Sequence, residues 1–532
     1  MKKIFYIAIF VLLSFVMISC KKDQKFSLNI NADKCVGLRN SVVINYTIVD
    51  PDQELKNSNI RAEIKKVGSE VNFSSRDISY DVTKLVNQEV KFLSLESGVT
   101  YIVKFVAGVD GKQVTLATYD VTTTTEGNTA DSPYIIKTAE DFKTLMKNDL
   151  TGHYKLGNDI DFAGASIDPL FTNTTQFTGT FDGATHTISN FKVGTAETLS
   201  TINFKYYGFF GYIGAKGVIK NVNFDNFEIN AKRTSTTTFV GVVAGYNAGT
   251  IDNVTISNSN IRIDIENSSS PNSKDSSGNL TGYYVAGIAG QNKNGASILN
   301  CNLNKVNINV KTRRGVVVGG ICAINYDNSN VEKENKIENC KFDGSINVEV
   351  SNTSATSYES ITTVGGIIGS NYNVVSNCMV AGSIELKSEF KTPSKTKYRV
   401  FCGGLVGWNA SDIAVVKDSK VEANIAFESK DALEVAVGLL VGQNGGTSAK
   451  NYSTVSNCSY KLPAEGTCVV TAYEGRYNVG LIGLDKNPTE GNTTTELNIT
   501  VNVYHTVKET DPETQKEAEK VVLKETTTVN VK

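Results

Sequence analysis

A glycine-rich phrase recurs along the chain and limits what it can fold into. Each copy has an apolar residue, one or two glycines and two further apolar residues, and most continue to a Gly followed two residues later by Asn. Successive copies begin 33 to 46 residues apart. A constant core with variable spacing is typical of a solenoid, whose stacked coils carry loops of different length. The copies are Tyr207–Gly211, Val240–Asn247, Val285–Asn292, Val318–Asn325, Val364–Asn371, Cys402–Asn409, Val437–Asn444 and Val479–Gly483.

A second phrase, of the form Ile/Val-x-Asn/Asp, predicts the geometry of each coil. Its third residue is expected at a corner, where Asn tolerates left-handed backbone and stacked amides can hydrogen-bond between coils. These corner positions are Asn221, Asn253, Asn300, Asn339, Asn377, Asp418 and Asn457.

Alternation after the second phrase predicts which side chains face inward. With Gly344 as a corner, period two places Cys340, Phe342, Ile346, Val348 and Val350 inside the coil. In the glycine phrase, two consecutive apolar residues break the alternation, so their direction stays open. The predicted fold is all-β: an N-terminal β-sandwich, then a right-handed parallel β-helix with a short capping helix and a C-terminal β-hairpin cap.

The first twenty residues have the pattern of an export signal. Lys2 and Lys3 precede an apolar run, and Ser19 stands directly before Cys20. The pattern resembles the lipobox of bacterial lipoproteins, so residues 1–19 are predicted to be a signal peptide. The resemblance implies that Cys20 carries diacylglycerol and a fatty acid such as palmitate, with residues 20–25 as a lipidated tether. An ordinary secretory signal with a chance cysteine is the alternative.

This resemblance also predicts the location of the protein. The residue after Cys20 is Lys21, so an acidic signal for retention in the inner membrane is not indicated. We expect an outer-membrane protein anchored by lipid at the cell surface, although the sequence leaves open which face of the membrane it occupies. Lys+Arg number 53 against 55 Asp+Glu. No basic field for nucleic acid is present, so nucleic acid is not an expected partner.

Residues 26–125 read as a small antiparallel sandwich. Ser41–Val49, Tyr101–Ala107 and Thr115–Thr124 are strand-like runs separated by turn signals. The segment Leu95–Tyr101 resembles the fibronectin type III turn, in which a Tyr fixes the corner before a late strand. The early Trp common in that family is missing, so another immunoglobulin-like topology remains open. The resemblance implies a spacer that holds the repeats away from the membrane.

Residues 132–205 are predicted to form the N-terminal cap and first coil of the β-helix. A capping box at Thr138 opens a short helix with Phe142 and Leu145 on one face. This block, followed by the repeats of residues 206–490, resembles the GLUG-motif repeat proteins of bacterial surfaces, which are abundant in gut Bacteroidota. Residues 491–532 are predicted to form the cap hairpin, with strands at Leu497–Val503 and Lys520–Val531.

The cysteines are predicted to be buried, free thiols that fill the coils. A disulfide between neighbouring coils is the alternative, although in-register parallel strands point their Cβ atoms the same way, which suits the bond poorly. No Cys-x-x-Cys pair exists, so zinc is not indicated. Four cysteines share the inward position after the second phrase and two lie in the glycine phrase: Cys301, Cys340, Cys378 and Cys458, then Cys322 and Cys402.

Catalysis is the other function class to consider for this fold, since β-helices also host polysaccharide lyases and glycosidases. Asp159 and Asp161 could form an acid pair or a calcium site, but we interpret both as polar residues on the outer face of a capping strand. No set of acids recurs on adjacent coils, and no histidine has metalloprotease spacing. We therefore expect no enzyme activity, cofactor or metal. The other ionisable candidates in the sequence are Asp168, Arg313, Arg314, His153, His186 and His505.

Binding is the expected function. Aromatic residues flank the Asn of the glycine phrase in four coils, and on an exposed corner they would form a stripe that stacks on sugar rings; ordinary corner packing is the alternative. Polar insertions at Glu266–Tyr284, Ser351–Thr363 and Ser388–Tyr398 would supply recognition loops. We expect an adhesin-like module for a glycan or host surface protein; a glycan-degrading enzyme or an accessory component of a glycan-uptake system is the alternative. The aromatic residues are Tyr246, Tyr326, Tyr372 and Trp408.

Overall fold

The computed structural model shows an almost entirely β-stranded protein in two compact units, Met1–Thr125 and Glu126–Lys532. Among the described residues, no helix has both the length and the hydropathy needed to cross a bilayer. The structure describes residues 25–233, 237–266, 273–274, 280–326, 334–352, 359–390, 397–429, 432, 434–445, 453–464, 466–485, 489–494, 497–510 and 517–531.

The first unit is a sandwich of two antiparallel sheets, as predicted. In one sheet β3 pairs with β1 and β2 along one edge and with β6 along the other; the second sheet has the order β5-β4-β7-β8. A 3₁₀ turn spans Ala32–Lys34. The strands are β1 Ser27–Ile30, β2 Val36–Gly37, β3 Ser41–Val49, β4 Ile60–Lys66, β5 Ser74–Ile78, β6 Gln88–Leu93, β7 Thr100–Val109 and β8 Lys112–Thr122.

Tyr101 fixes the turn before β7. Its side chain is 1% exposed, and its hydroxyl oxygen accepts a hydrogen bond of 2.9 Å from the backbone N–H of Glu96. This geometry matches the tyrosine corner of immunoglobulin-like sandwiches and agrees with the role expected from Leu95–Tyr101.

The second unit is a solenoid of stacked parallel strands, as predicted. We call the larger of its sheets the wall. The wall begins at Tyr134–Ile136, and in it the strands of each coil pair in parallel with those of the next coil. The wall strands of the capping region are Tyr134–Ile136, His153–Leu156, Ile160–Asp161, Thr180–Asp182, Thr187–Ser189, Lys192–Val193 and Ser200–Thr201. Those of the repeats are Val218–Asp225, Glu228–Arg233, Thr250–Ile265, Ser297–Leu299, Asn302–Thr312, Lys336–Glu338, Lys341–Asn352, Val374–Ser376, Met379–Phe390, Val415–Lys417, Lys420–Ser429, Thr454–Ser456, Ser459–Tyr460, Cys468–Tyr473, Thr489–Glu490 and Thr493–Thr494.

The predicted corners are confirmed at all seven positions. Each Asn or Asp of the second phrase has a φ between 52° and 56°, in the left-handed region. Some of the corner amides also bond between coils, with Asn253 donating to Asn221 over 2.9 Å and Asn339 to Asn300 over 3.2 Å.

The predicted inward residues are also confirmed. Cys340, Phe342, Ile346, Val348 and Val350 are at most 3% exposed. Gly344, which we expected at a corner, lies within the strand Lys341–Asn352 and, unlike the corner asparagines, does not have a positive φ. A Cβ atom there would lie 1.9 Å from the carbonyl oxygen of Val306, so the close approach of the neighbouring coil requires glycine.

The glycine phrase forms a second sheet, which we call the glycine arc. In each coil the chain runs along one arc strand, reverses at the glycines and returns along another. A Cβ atom at Gly320 would lie 2.6 Å from the Phe342 ring. The outgoing strands are Tyr206–Tyr207, Thr237–Val240, Leu280–Ala286, Val317–Gly319, Glu359–Gly365 and Lys397–Gly403, and the returning strands are Gly211–Ile213, Ala244–Asn247, Ala289–Asn292, Cys322–Asn325, Ile368–Asn371 and Val406–Asn409. Glu434–Asn444 and Tyr477–Asp485 each span a whole arc, and Ser273–Lys274 adds a short antiparallel strand.

A buried amide ladder runs up the returning arc strands. Each Asn donates its Nδ2 to the side-chain oxygen of the next coil, over 2.8 to 3.1 Å. All six asparagines are 0% exposed. The ladder runs through Asn247, Asn292, Asn325, Asn371, Asn409 and Asn444 and ends on Asp485.

Both ends of the solenoid carry distinct elements. The predicted capping box is present at Thr138, and helix α1, Ala139–Asp141, continues into a π-helical turn, Phe142–Met146. Phe142 is buried as expected, but its partner on the apolar face is Met146 and not Leu145, because the wider π turn shifts the inward position by one residue. At the other end, Leu497–Thr510 and Glu517–Val531 form the expected hairpin, whose turn lies outside the described residues.

Candidate functional site

The four predicted aromatic residues lie in two registers of the glycine arc. Tyr246 and Trp408 directly follow the last glycine of the phrase and directly precede the ladder Asn. Tyr326 and Tyr372 directly follow that Asn. The structure brings three of them together, with ring centroids 4.8 Å apart for Tyr326 and Tyr372 and 6.3 Å apart for Tyr372 and Trp408.

These aromatic side chains are largely covered. Tyr246 and Tyr326 are 6% exposed and Trp408 is 8% exposed, while Tyr372 is half-buried. Trp408 packs against Phe401 and donates its Nε1–H to the carbonyl of Gly445 over 3.0 Å. The arc turns back on itself, so that residues of its two strands pack on each other. The arrangement therefore matches corner packing better than an open stripe for sugar rings.

The N-terminal edge of the arc has two half-buried aromatic residues that the sequence reasoning missed. Tyr206 and Tyr212 lie with ring centroids 5.2 Å apart, and Tyr212 stacks on Tyr246 at 4.2 Å. Lys205 places its Nζ 5.4 Å from the centre of the Tyr206 ring. The shortened first copy of the glycine phrase, which begins at Tyr207, was the signal that could have found them.

The polar insertions leave the solenoid at one common corner. Three wall strands end here, at Ile265, Asn352 and Phe390. Strand pairing aligns Ile265 with Thr312, Thr312 with Val350 and Val350 with Ser388, so these strands run to the same column of the wall. The chain then returns as an outgoing arc strand, and these strands also pair in register. We call this edge the loop corner. Of the insertions that follow these wall strands, residues 267–272, 275–279, 353–358 and 391–396 lie outside the described residues.

Neighbouring coils extend together at the loop corner. Asn352 pairs with Phe390 where the wall strands end, and Glu359 pairs with Lys397 where the arc strands begin. The described residues that flank 353–358 therefore lie beside those that flank 391–396. The described strands that flank 327–333 and 446–452 meet at a different corner, between the returning arc strand and the next wall strand.

The candidate acids are engaged in turns of the capping region. Asp159 accepts a hydrogen bond from the backbone N–H of Thr187 over 2.9 Å and lies 3.1 Å from Nδ1 of His186. The Thr187 bond, followed by His186, lowers the pKa of Asp159. Asp161 accepts from Asn190 over 2.8 Å and from the N–H of Ala163 over 2.7 Å, and these bonds lower its pKa. Both carboxylates thus stay ionised and hold loops in place.

The other candidates are scattered. Asp168 and Arg313 are exposed, and the carbonyl of Arg314 accepts a hydrogen bond from Thr312. His153 and His505 are half-buried. Within the described ranges, no group of three or more His, Cys, Asp or Glu side chains is placed to hold a metal ion.

The cysteine positions agree with the predicted filling role. Cys301, Cys340, Cys378 and Cys458 are at most 2% exposed, as is each cysteine of the glycine phrase. None of the eight cysteines that the structure describes forms a disulfide. Burial raises the pKa of Cys340 and Cys378 well above the ordinary value. Cys20, with residues 1–19 and most of the tether 20–25, lies outside the described residues.

Comparison with known proteins gives two partial similarities. No protein-family model matches the chain. A segment is 33% identical over 138 residues to halomucin of Haloquadratum walsbyi, covering 24% of this chain and 1% of halomucin. Another match, 28% identical over 135 residues, is to a putative Gly-rich membrane protein of Evansella cellulosilytica, covering 24% of this chain and 15% of that protein. The chain thus aligns with only a small part of either relative.

Proposed function

We propose that this protein is a lipid-anchored surface protein whose solenoid binds a ligand, a glycan or a host surface protein, through the loop corner. The observation that carries this proposal is that the described strands flanking the insertions 266–279, 353–358 and 391–396 end and begin on one edge of the solenoid. Loops that vary in length while their scaffold stays constant are where solenoid proteins place recognition.

The scaffold supports this use because it fixes where each loop starts and ends. The wall column that ends at the loop corner is buried, with Ile265, Thr312 and Val350 at most 3% exposed. The amide ladder holds successive arcs at constant spacing. The insertions are rich in Ser, Thr, Asn and Lys, which offer hydrogen-bond donors and acceptors to hydroxyl-bearing ligands.

The proposed anchor is Cys20 at the outer membrane. It rests on the lipobox-like segment before Cys20, and the name of the Evansella relative, a putative Gly-rich membrane protein, is compatible with membrane association. Two or three acyl chains would give stable attachment. The resemblance to GLUG-motif surface proteins supports the same placement, with the sandwich as a spacer.

A glycan-degrading enzyme is less well supported. Asp159 and Asp161, the strongest acid candidates, each accept two hydrogen bonds from neighbouring turns. A general acid in a glycosidase needs a raised pKa, whereas both of these carboxyl groups have a lowered one.

Loop shortening tests the binding role. Residues 353–358 and 391–396 are each replaced by a Gly-Ser link, and the purified variant is applied to arrays of glycans and immobilised extracellular matrix proteins. We expect the ligand bound by the wild type to be lost. Shortening 327–333, a segment of similar length at the other corner, is the matched control and should retain binding. Equal loss in both variants, or no ligand for the wild type, would contradict the proposal.

Substitution of the lipobox cysteine tests the anchor. Cys20→Ala removes the thiol that would be acylated, so metabolic labelling with a palmitate analogue should disappear and the protein should move from the membrane to the soluble fraction. Cys35→Ala, which alters a half-buried cysteine of the sandwich, should leave both unchanged. Unaltered labelling of the Cys20→Ala variant would rule out the anchor.

A further inference from the structure

Three exposed valines lie at the end of the sandwich where the chain enters it. Val49, Val82 and Val86 are 42%, 50% and 64% exposed. Val49 is the last residue of β3 and pairs with Ser27, the first residue of β1. Since residues 20–25 lead almost directly into β1, Val49 borders the point at which the tether joins the sandwich.

Two contacts hold residues 80–86 against the end of β3. The backbone N–H of Ile48 donates to the carbonyl of Leu85 over 2.8 Å. The hydroxyl of Tyr80 donates to a carboxylate oxygen of Asp50 over 2.8 Å. The side chains of Tyr80 and Leu85 pack against the apolar core, whereas the two valines of this segment stay at the surface. The three exposed valines are called the valine patch.

Lysine side chains accompany the valine patch. Lys25 and Lys84 are exposed and lie 2.7 Å and 3.8 Å from aspartate carboxylates. Lys34 donates to the side chain of Asn87, the residue after the last valine of the patch, over 3.0 Å. Exposed ion pairs are weak, so these lysines can turn to other anions. Apolar side chains beside lysines match the two parts of a lipid interface, which are acyl chains and phosphates.

The tether is too short to keep this end of the sandwich far from a membrane. Lys25 lies five positions after Cys20, so the extended chain between them spans at most about 18 Å. This step rests on the proposed acylation of Cys20, which would fix that residue at the membrane surface. So short a link gives the valine patch a high effective concentration near the headgroups, and even a weak contact is then populated.

We propose that the valine patch rests on the phospholipid surface to which Cys20 is anchored. The valines lie among the headgroups and the neighbouring lysines pair with lipid phosphates. The contact fixes which end of the sandwich faces the membrane, which an anchor on a flexible tether would not do alone.

The opposite end of the sandwich provides a matched control. Val67 and Val71 are 50% and 74% exposed in the turn between β4 and β5. The N–H of Val67 donates to the carbonyl of Thr100, the first residue of β7, over 3.1 Å. The preceding strand, β6, ends beside Ser41, the first residue of β3. Because β3 has nine residues, the two ends lie about 27 Å apart.

Attachment to vesicles tests the contact without relying on natural acylation. The chain from Cys20 to Lys532, carrying Cys35→Ala, is coupled through the Cys20 thiol to a maleimide lipid in vesicles of phosphatidylethanolamine and phosphatidylglycerol. The other cysteines are buried. Hydrogen exchange at residues 81–87 should slow about threefold or more on attachment, while exchange at 67–73 should keep its rate. No slowing at 81–87, or equal slowing at both ends, would overturn the proposal.

Paired substitutions assign the slowing to the valines. Val82→Ser with Val86→Ser should abolish it, whereas Val67→Ser with Val71→Ser should retain it; all four side chains are exposed, so both variants should fold. Slowing that survives in the first variant, or that falls as the protein is diluted on the vesicles, would overturn the lipid contact, the latter in favour of contact between copies.

The vesicle result and the anchor can fail separately. Maleimide coupling replaces the acyl chains, so absent slowing contradicts the contact and leaves acylation of Cys20 untouched. Absent palmitate labelling of the wild type would contradict the anchor, which the vesicle experiment does not use.

Discussion

Asparagine at the coil corners combines two properties that few residues share. It adopts left-handed backbone at low cost, because its short polar side chain interacts locally, and its amide can donate and accept at once. Asn339 has a φ of 56° and donates to Asn300 in the neighbouring coil. Asp418 occupies the same position with a φ of 52°, although its carboxylate has no amide N–H to donate. The position therefore requires left-handed backbone more strictly than it requires an amide donor.

The inward cysteine position tolerates only small apolar groups. Cys340 is 1% exposed, while its neighbour Lys341 points outward and pairs with Asp343 at 3.5 Å. Cys340→Asp places a carboxyl group without a partner inside the coil, so we expect a loss of about 3 kcal/mol or more in the free energy of unfolding. Lys341→Glu changes a solvated charge and should cost within about 0.5 kcal/mol. Thermal and urea unfolding of both variants measures the difference; equal losses would contradict the inward assignment.

Buried thiols should make the fold sensitive to alkali. Burial raises the pKa of Cys402 to about 12 and that of Cys458 to about 11, against about 8.5 in an unfolded chain. Their contribution is therefore complete below about pH 8.5 and decreases as the pH rises toward the folded values, because only the unfolded state has released its protons.

Cys402→Val isolates one thiol, since Val364 and Val437 occupy the same position in the coils on either side. The variant should lose stability less steeply between pH 9 and 11, by up to about 1.4 kcal/mol per pH unit. Urea unfolding at a series of pH values measures both slopes. Lysines and tyrosines titrate in both proteins, so the difference between the two slopes of unfolding free energy against pH reports Cys402. Identical slopes would refute a buried neutral thiol at this position.

The amide ladder is the element that fixes one glycine arc on the next. Asn371 donates to Asn409 over 2.9 Å and to the carbonyl of Asn373 over 2.8 Å, and it accepts from Asn325 over 3.1 Å. Asn371→Ala leaves several buried partners unsatisfied, so we expect a loss of about 3 kcal/mol in the free energy of unfolding.

The matched control is Asn347→Ala, at a half-buried asparagine in an outer ladder. Asn347 donates to Asn309 over 2.9 Å, but water can replace that bond, so the expected loss is about 1 kcal/mol or less. Denaturant unfolding of the two variants under identical conditions gives both values. A loss for Asn347→Ala that matches that of Asn371→Ala would show that burial does not set the strength of the ladder.

A column of alternating charge on the outer wall supports the coil register. Strand pairing aligns residues of opposite sign from coil to coil, and Lys311 contacts Glu349 at 2.9 Å. Each exposed pair contributes little on its own, but a coil paired out of order would place like charges opposite each other, which is unfavourable. The column is Lys232, Asp264, Lys311, Glu349, Lys387 and Glu428.

The wall could be predicted from sequence and the arc could not, for a physical reason. In the wall, side chains alternate between a dry interior and water, so Cys340 and Phe342 reveal the inward face by their spacing. In the arc, Ile367 and Ile368 are both 0% exposed, because the interior covers one side and the opposing arc strand covers the other. Alternation carries no information where both faces are buried. For the same reason, the aromatic positions flanking Asn409 gave no sign that Trp408 would be covered.

At the scale of the whole molecule, each end of the solenoid needs a distinct structure because a terminal coil has no neighbour to pair with. At the N-terminal end, Phe142 packs against Phe181 and Phe209, with ring centroids 6.0 and 5.0 Å away. A single short helix is therefore enough to cover the apolar interior of the first coil. The C-terminal end needs more, because there the wall strand Cys468–Tyr473 would otherwise present an open edge.

The C-terminal hairpin covers that edge and also fills the last coil. Leu497–Thr510 pairs in parallel with Cys468–Tyr473, and Ile499, Val501 and Val503 are at most 2% exposed. Deletion of 497–532 should remove the burial of these side chains, about 1.5 to 3 kcal/mol for each, and expose a parallel edge that can pair with another chain. We expect a lower Tm and concentration-dependent association in light scattering. Deletion of 517–532 alone keeps the three buried side chains, so it should preserve most of the Tm while still exposing an edge. A 497–532 deletion that stays monomeric with an unchanged Tm would show that the hairpin is not a cap.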